Sequence, residues 1–189
     1  MNTVYKQFQD ALKREKQYIT TYYDNVEYPC LYRKVDDYKN TSNHIEIFYD
    51  IATPIKQGQL LIRGDKAFIV INKESVENDT YYKSTIKECN LTVPVTIGGV
   101  VKNIPCYSYE LSSAYNIANN IISFVDGKGE IITELIPELF NGIYINTGLR
   151  IMGGYFDVVN TYDIDGIVHI MLEKNVSPPD LYALEITTE

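Results

Sequence analysis

Short segments rich in β-branched and aromatic residues, each bounded by Gly, Pro or Asn, fill the sequence from residue 45 almost to its end. Segments of this length and composition are typical of strands rather than of helices. We predict strands near residues 45–49, 59–62, 67–73, 82–88, 93–97, 100–104, 131–132, 143–145, 149–152, 155–160 and 166–173. The sequence therefore predicts a mainly β protein, built as a β-barrel or a β-sandwich.

Two glycine-containing stretches predict tight hairpin turns. Gly98-Gly99 separates two β-branched runs, and glycine accepts the positive φ that a two-residue hairpin turn demands. Asp163-Ile164-Asp165-Gly166 predicts the turn of a second hairpin. Asp163-x-Asp165-Gly166 also resembles the core of a calcium loop, but it lacks the bidentate Glu at the required spacing, so a plain turn is favoured.

The first 22 residues predict an amphipathic helix. Apolar residues recur at three- and four-residue steps on one face: Val4, Phe8, Ala11, Leu12, Ile19 and Tyr22. This face packs either on the helix's own domain or on a neighbouring subunit, and the sequence favours neither. A shorter helix is predicted over Leu111–Phe124, where apolar residues again follow helical spacing.

Two stretches about 90 residues apart have similar sequences, GDKAFIVIN at 64–72 and GGYFDVVN at 153–160. Each opens a run of about 30 residues that predicts a three-stranded meander. The alignment pairs Gly64 with Gly153, Phe68 with Phe156, Asn72 with Asn160 and Asn90 with Asn175. One meander cannot bury its apolar face alone. The two either close against each other or belong to separate small barrels, and they arise either by internal duplication or by chance.

These elements divide the chain into five predicted segments. They are an N-terminal helix and arm at 1–43, a first β-meander unit with hairpin at 44–110, an insert or short helix with loop at 111–130, a second β-meander unit at 131–177 and a C-terminal arm at 178–189.

Composition limits the function classes. Hydrophobic residues make up 45% of the chain, enough for a core, and 17 basic against 25 acidic residues give a net charge of −8. That charge disfavours a broad nucleic-acid-binding surface, because such a surface neutralises phosphates with Lys and Arg. The 17 tyrosines indicate strands and large contact surfaces. An apolar run long enough for a membrane span is absent, and the N-terminal residues are too polar for a signal peptide.

The sequence offers no arrangement of residues typical of catalysis or metal binding, so we predict no catalytic, cofactor or metal site and no enzyme activity. Cys30, Cys89 and Cys106 lack metal-ligand spacing and predict reduced, mostly buried thiols. His169 lies in an alternating strand, where a sheet-face role is favoured. His44 with Glu46 supplies two potential ligands on one strand face, too few for a site.

The run YYKSTIKECNLTVPVTIGGVVKNIPCYSY, residues 81–109, resembles structural proteins of tailed bacteriophages of Gram-positive hosts. The matching residues are Tyr82-Lys83, Ile86, Cys89-Asn90, the Gly98-Gly99 turn and Pro105-Cys106. The stretch GLRIMGGYFDVVNTYDIDGIVHIMLEKNVSPPD is similar to the closing part of the same family, so the resemblance spans roughly residues 45–180. The segment Leu111–Phe124 departs from the family pattern.

The resemblance implies a virion protein of the phage neck, made in the host cytoplasm and assembled as a ring between portal and tail. Its implied partners are further copies of itself, a portal or adaptor protein, a tail protein, and DNA that passes through the channel without sequence-specific binding; a membrane is not among them. The preferred role is head closure or head-tail joining. We expect the docking surfaces on the N-terminal helix and the C-terminal arm, at Val4, Phe8, Leu12, Ile19, Leu181, Tyr182 and Leu184.

Two other functions stay open at this stage. A tail-completion or baseplate protein has nearly the same sequence expectations. A soluble ligand-binding β module or enzyme with Tyr-rich sheets is the third reading.

Overall fold

The computed structural model describes residues 3–35, 44–76, 80–97, 100–108, 128–136, 148–151 and 154–175. These residues form a mainly β protein with an N-terminal helix, which confirms the predicted fold class. The elements are α1 Thr3–Glu15, β1 Tyr18–Thr21, β2 Glu27–Pro29, β3 Leu31–Val35, β4 His44–Asp50, β5 Leu60–Arg63, β6 Lys66–Val76, β7 Tyr81–Glu88, β8 Leu91–Ile97, β9 Val100–Ser108, β10 Lys128–Glu134, β11 Gly148–Ile151, β12 Gly154–Ile164 and β13 Ile167–Lys174. The chain divides into two compact units, unit 1 at Met1–Glu88 and unit 2 at Cys89–Glu189.

Unit 1 contains a seven-stranded antiparallel sheet with the order β2-β1-β5-β6-β7-β4-β3, curled into a half-barrel. Its two outermost strands, β2 and β3, follow one another in the chain with only Cys30 between them. One residue spans less than 4 Å of backbone per step, so the two edges of the sheet meet at this cysteine. Cys30 is fully buried in the core that the curled sheet encloses.

The N-terminal helix is shorter than predicted. It ends at Glu15, and Lys16 has a φ of 48°, the left-handed conformation that often terminates a helix. Ile19, which the helical pattern included, lies in β1, where the run Ile19-Thr20-Thr21 is β-branched and favours a strand. The predicted N-terminal helix and arm at 1–43, for which the sequence predicts no strand, contribute β1, β2 and β3.

Unit 2 contains a six-stranded antiparallel sheet with the order β11-β12-β13-β10-β9-β8. The hairpin β8–β9, which the sequence grouped with the first meander, pairs with β10 and so belongs to this second sheet. Its outermost strands, β8 and β11, approach within 8 Å between Cα atoms. A strand inserted between β8 and β11 would separate them by about twice the 4.8 Å spacing of paired strands. No other strand therefore fits where these two approach.

Both predicted hairpins form. Ile97 pairs with Val100 across the turn between β8 and β9. Ile164 pairs with Ile167 across Asp165 and Gly166, whose φ values are 52° and 83°. Two positive φ values at the centre of a two-residue turn match the right-handed twist of the flanking strands. The predicted helix at 111–124, the strand at 143–145 and the C-terminal arm at 178–189 lie outside the described residues.

Units 1 and 2 share one strand topology. The order β5-β6-β7-β4-β3 in unit 1 corresponds to β11-β12-β13-β10-β9 in unit 2, with each strand in the same chain position. The registers agree as well, since Leu61 pairs with Phe68 and Leu149 with Phe156. The cross-strand pairs Tyr32–Ile47, Ile47–Ser84 and Lys73–Ser84 correspond to Ser108–Ile131, Ile131–Ile170 and Thr161–Ile170. A single alignment therefore relates the two units, and it favours internal duplication over chance similarity.

The second strand of each meander also carries an irregularity at the same place. The β6–β7 ladder shifts register between Val70 and Asn72, and the β12–β13 ladder shifts between Val158 and Asn160. A β-bulge of this kind is a specific feature of a strand and is not expected to recur at one aligned position by chance. The alignment of Asn72 with Asn160 is confirmed by this coincidence.

In each unit, one stretch of the chain pairs with one strand before a bend and with a different strand after it. Before the bend, Pro29 pairs with Tyr18 in unit 1 and Pro105 pairs with Thr92 in unit 2. In both units the change of partner strand follows the cysteine next to this proline. Cys30 and Cys106 are both buried. The strand counted as β2 and β3 in unit 1 is thus the counterpart of the single strand β9 in unit 2, which explains why one sheet has seven strands and the other six.

The registers of the paired strands correct two details of the sequence alignment. Pairing of Arg63 with Lys66 and of Ile151 with Gly154 aligns Gly64 with Met152 instead of Gly153. Pairing of Phe68 with Glu88 and of Phe156 with Lys174 aligns Asn175 with Cys89, one residue before Asn90. Glycine and asparagine recur near turns for local reasons, so they mark the turn without fixing its register.

Candidate functional site

One group of polar side chains occupies equivalent positions on the outer faces of both sheets. In unit 1 it consists of Glu46, Lys83 and Glu74, which we name the charged ladder. The alignment of the two units places Glu130, His169 and Tyr162 at the same three positions in unit 2, and we name them the histidine cluster. The carboxylate is shared by the two groups, while the other two positions differ in chemistry.

The charged ladder is an ion-pair network across strands β3, β4, β7 and β6. Arg33 Nε donates to Glu46 Oε2 at 3.0 Å, and Lys83 Nζ lies 3.8 Å from Glu46 Oε1 and 2.9 Å from Glu74 Oε2. The hydrogen bond with Lys83 lowers the pKa of Glu74, and the same bond raises the pKa of Lys83. Glu46 thus interacts with two cations, Arg33 and Lys83.

The histidine cluster is held by one carboxylate oxygen. Glu130 Oε1 lies 2.6 Å from His169 Nδ1 and accepts a hydrogen bond from Tyr162 Oη at 3.2 Å. The rings of Tyr162 and His169 stack at 4.9 Å with an angle of 4° between their planes. Burial first, and then Glu130, raise the pKa of Tyr162 above its ordinary value. His169 therefore has the sheet-face position that its alternating strand predicts.

Tyrosines and two cations line the concave side of unit 1. The Arg63 guanidinium lies 3.8 Å above the Tyr32 ring, and Lys73 Nζ lies 3.9 Å above the Tyr82 ring. Lys73 also donates to the backbone oxygen of Ile55 at 2.7 Å, and burial lowers its pKa. Cations over aromatic faces are favourable, more so where water is excluded. These contacts account for two of the 17 tyrosines as structural residues of the half-barrel.

The outer face of unit 1 also holds the N-terminal helix. The Phe8 ring stacks on Tyr81 at a centroid distance of 4.6 Å, and Tyr5 Oη donates to Asp50 Oδ2 at 3.1 Å. Gln9 donates to the same Asp50 oxygen. This describes a helix that packs on its own unit, the first of the two arrangements left open by the sequence.

The residues proposed for docking are distributed unevenly. Phe8 and Leu12 are buried in unit 1, Ile19 is buried in β1, and Val4 is exposed at the start of α1. Leu181, Tyr182 and Leu184 lie outside the described residues. Contact with a neighbouring subunit stays a prediction for these positions, and among the four described ones Val4 presents the most surface.

The described residues contain no group of three or more His, Cys, Asp or Glu side chains arranged to hold a metal ion. Burial raises the pKa of the Cys30 thiol to about 11 and that of the Cys106 thiol to about 12, so both are protonated at neutral pH. Within the same residues, no helix has the length and apolar composition that crossing a bilayer requires.

Charge is distributed very differently over the two units. Of the 17 basic residues 13 lie in unit 1 and 4 in unit 2, whereas the 25 acidic residues divide into 13 and 12. Unit 1 is therefore neutral, and unit 2 carries the entire net charge of −8. Sequence reasoning treated the charge as a property of the whole chain and missed this division, because it placed the boundary between the two parts elsewhere.

No protein-family model matches the chain, and neither the curated proteins nor the solved structures contain a match.

The equivalence of the charged ladder and the histidine cluster was also missed by sequence reasoning. The residues of each group are spread over three strands, so only the register of the paired strands reveals the correspondence. One signal was available in the sequence. The dipeptide Pro-Cys occurs twice, at Pro29-Cys30 and Pro105-Cys106, and the two copies mark equivalent bends.

Proposed function

We propose that the protein is a structural component of the neck of a tailed bacteriophage, where copies form a ring between portal and tail around the DNA channel. The role we favour is head closure or head-tail joining. One observation carries the proposal. The run that resembles phage neck proteins, residues 81–109, coincides with the connection between the two β units, and its motif residues have structural positions there.

Those positions are specific. Ile86 is buried in the core of unit 1, and Cys106 is buried at the bend of β9. Asn90 is bound at both ends of its amide, since its Nδ2 donates to the Ser108 backbone oxygen at 3.0 Å and its Oδ1 accepts from the Ser108 amide at 2.9 Å. Only residues 89 and 90 separate β7 from β8. Motif residues that are buried inside a unit or hydrogen-bonded to its backbone fit a structural protein better than a catalyst.

The charge of the chain supports the same role. DNA carries one negative charge per about 1.7 Å of duplex, so a conduit with a net negative wall does not retain it. A net charge of −8 on 189 residues is compatible with passage of DNA and unfavourable for its capture.

The proposal is tested with particles assembled in the absence of the protein. We expect filled heads that lose their DNA and lack attached tails, restored when the protein is supplied in trans. Purified protein should also bind isolated portal rings or rings carrying an adaptor. Filled heads that keep their DNA and carry malformed tails would support the tail-completion or baseplate alternative instead.

The concave wall of unit 1 favours a second candidate, a ligand-binding β module. Tyr32 and Tyr82 line that wall, as the contact residues of a sugar or peptide site do. One face of each ring already lies against a cation, Arg63 on Tyr32 and Lys73 on Tyr82, which makes this function the weaker candidate. Screening soluble oligosaccharides and peptides by tyrosine fluorescence tests it, and saturable quenching that Tyr82→Ala abolishes would favour it.

A further inference from the structure

The two units differ at one boundary between strands, which we name the seam: β1 against β5 in unit 1, and the equivalent β8 against β11 in unit 2. In unit 1, β1 pairs with β2 on one side and with β5 on the other. Strand β8 is the counterpart of β1, because it pairs with the proline of the second Pro-Cys dipeptide as β1 pairs with that of the first. Among the described residues β8 pairs with β9 alone, and β8 and β11 are the two outermost strands of their sheet. The seam is therefore paired in unit 1 and unpaired in unit 2.

Backbone hydrogen bonds close the seam of unit 1. The Tyr22 amide donates to the Leu60 backbone oxygen at 2.9 Å. Hydrogen-bonded pairs recur at every second residue of an antiparallel ladder, so Thr20 and Ile62, which pair two residues further along, form the next such pair. The amide of Thr20 thus faces β5 and takes part in closing the seam.

A proline stands at the equivalent position of unit 2. The registers of the two hairpins align Pro94 with Thr20. Pro105 has no N–H to donate to its partner Thr92, so Thr92, and with it Pro94 two residues further on, directs its backbone groups away from β9. The Pro105 oxygen accepts from the Thr133 hydroxyl of β10, in agreement with this orientation. Pro94 therefore faces the seam without an N–H to donate.

We propose that unit 2 opens along the seam between β8 and β11, whereas unit 1 stays closed along the seam between β1 and β5. Pro94 removes a hydrogen bond that would hold β8 to β11, and a segment held by fewer hydrogen bonds opens at a lower cost in free energy. Opening exposes the inner side of β8, where Val93 and Val95 are 2% and 1% exposed in the closed unit. The inference concerns one chain in solution and does not depend on the proposed neck function.

Each unit contains a native thiol that reports on this opening. Cys30 lies in the core that the curled sheet of unit 1 encloses, and Cys106 has the equivalent position in unit 2 and is also buried. Burial raises the pKa of both thiols, so neither reacts rapidly while its unit is closed. The rate at which a reagent modifies each cysteine therefore measures how often that unit opens.

The test follows alkylation of the purified full-length chain by N-ethylmaleimide, with mass spectrometry of the peptides that contain Cys30 and Cys106. Each rate is divided by the rate of the same cysteine in urea-unfolded protein. In the wild type we expect Cys106 to react about tenfold faster than Cys30, the effect of one or two backbone hydrogen bonds missing from the seam.

Exchanging the two seam residues provides matched variants. Pro94→Thr gives unit 2 the residue that unit 1 has, and should slow the reaction of Cys106 severalfold without changing that of Cys30. Thr20→Pro gives unit 1 the proline, and should accelerate the reaction of Cys30 without changing that of Cys106. Pro94→Ala also restores the N–H and serves as the second variant of unit 2. Circular dichroism establishes that each variant is folded, and the wild type with the two Pro94 variants decides the question if Thr20→Pro does not fold.

Two results would overturn the inference. One is an equal normalised rate for Cys30 and Cys106 in the wild type, and the other is a Cys106 rate that Pro94→Thr and Pro94→Ala both leave unchanged. Pro94 would then serve only to keep the edge of β8 from pairing with other chains. Neither result affects the neck function, which is tested separately on particles that lack the protein.

Discussion

Unit 1 and unit 2 share one arrangement of strands but differ in the side chains that form their cores. In the core, the inward residues of β4 are Ile45, Ile47 and Tyr49, whereas those of β10 are Gly129, Ile131 and Thr133. Only the central isoleucine is kept. The comparison teaches that the topology tolerates large exchanges at matched positions, provided that the neighbouring strand compensates in volume and hydrogen bonding.

The exchange around Tyr49 illustrates this compensation. Tyr49 Oη lies 2.7 Å from Ser84 Oγ on the adjacent strand, so a large polar residue faces a small one. In unit 2 the corresponding positions hold Thr133 and Ile170, and Thr133 Oγ1 donates to the Pro105 backbone oxygen at 2.9 Å. Each unit buries a hydroxyl at this level, and each satisfies it with a different partner, as a buried polar group requires.

The largest effect is expected where the two units agree. Ile47 and Ile131 are both fully buried, and replacing either by Ala removes side-chain volume from a core. We expect Ile47→Ala and Ile131→Ala each to lower the free energy of unfolding by about 2–5 kcal/mol. Urea unfolding measures the loss. Hydrogen exchange should show that each variant loosens its own unit more than the other, and equal loosening of both would break the comparison of two similar but separate cores.

The next effect separates the charged ladder from the histidine cluster. Glu46→Gln leaves Arg33 and Lys83 without their shared carboxylate, so we expect a loss of about 1–3 kcal/mol. Glu130→Gln keeps an amide oxygen that can accept hydrogen bonds from His169 and from Tyr162, and should cost less than about 1 kcal/mol. Urea unfolding at pH 8 compares the two variants. Equal losses in the free energy of unfolding would show that the two carboxylates contribute equally to stability.

The pH dependence of the two groups should also differ. The pKa of Glu74 is lowered from 4.5 in the folded protein, so the stability it contributes is present above that value and is lost as the pH falls through its folded pKa. Because Glu74 is largely exposed, the loss is below about 1 kcal/mol.

Between about pH 5 and about pH 3 the wild type should therefore lose slightly more stability than Glu74→Gln. Tyr162→Phe at the matched position removes no group that titrates in this range, because the pKa of Tyr162 is raised from 10.0, so its profile should follow that of the wild type more closely than the Glu74→Gln profile does. Urea midpoints as a function of pH measure both variants. A Tyr162→Phe profile that departs from wild type in this window more than the Glu74→Gln profile would contradict the assignment.

The smallest effect is expected when one unit receives the residue of the other. His169→Lys places in unit 2 the residue that unit 1 has at this position, beside a carboxylate and an aromatic ring. We expect a change within about 0.5 kcal/mol, since an exposed or half-buried ion pair contributes little. His169→Leu is the control, because it leaves Glu130 with Tyr162 alone and should cost more. Urea unfolding decides whether the matched residue is accepted.

Strand positions were largely predictable from the sequence because they depend on neighbouring residues. Alternation around Ile47, Phe68 and Val158 predicts strands that the structure contains, and Gly166 predicts a turn that forms. The three strands of residues 18–35 were not predicted. Their residues include Lys, Arg, Glu and Pro, and these segments become strands through pairing: β2 with β1, β3 with the next strand β4, and β1 with β5, which is about 40 residues away in the sequence.

The candidate site was less predictable. His169 was assigned to a sheet face from its own strand, but its partners Glu130 and Tyr162 lie on two other strands. The correspondence with the charged ladder depends on registers that hydrogen bonding between strands establishes. A bulge after Val70 and Val158 shifts that register by one residue, and nothing in the local pattern of either strand announces it.

By itself the sequence determined that the chain is β-rich, that two of its meanders have similar sequences, and that the N-terminal residues begin a helix, because periodicity and turn residues act over a few residues. The tertiary structure decided where that helix ends, that the repeat extends to whole units, and that one of them carries all the net charge. Those properties follow from strand pairing over long separations, where a single bulge or bend changes which residues meet.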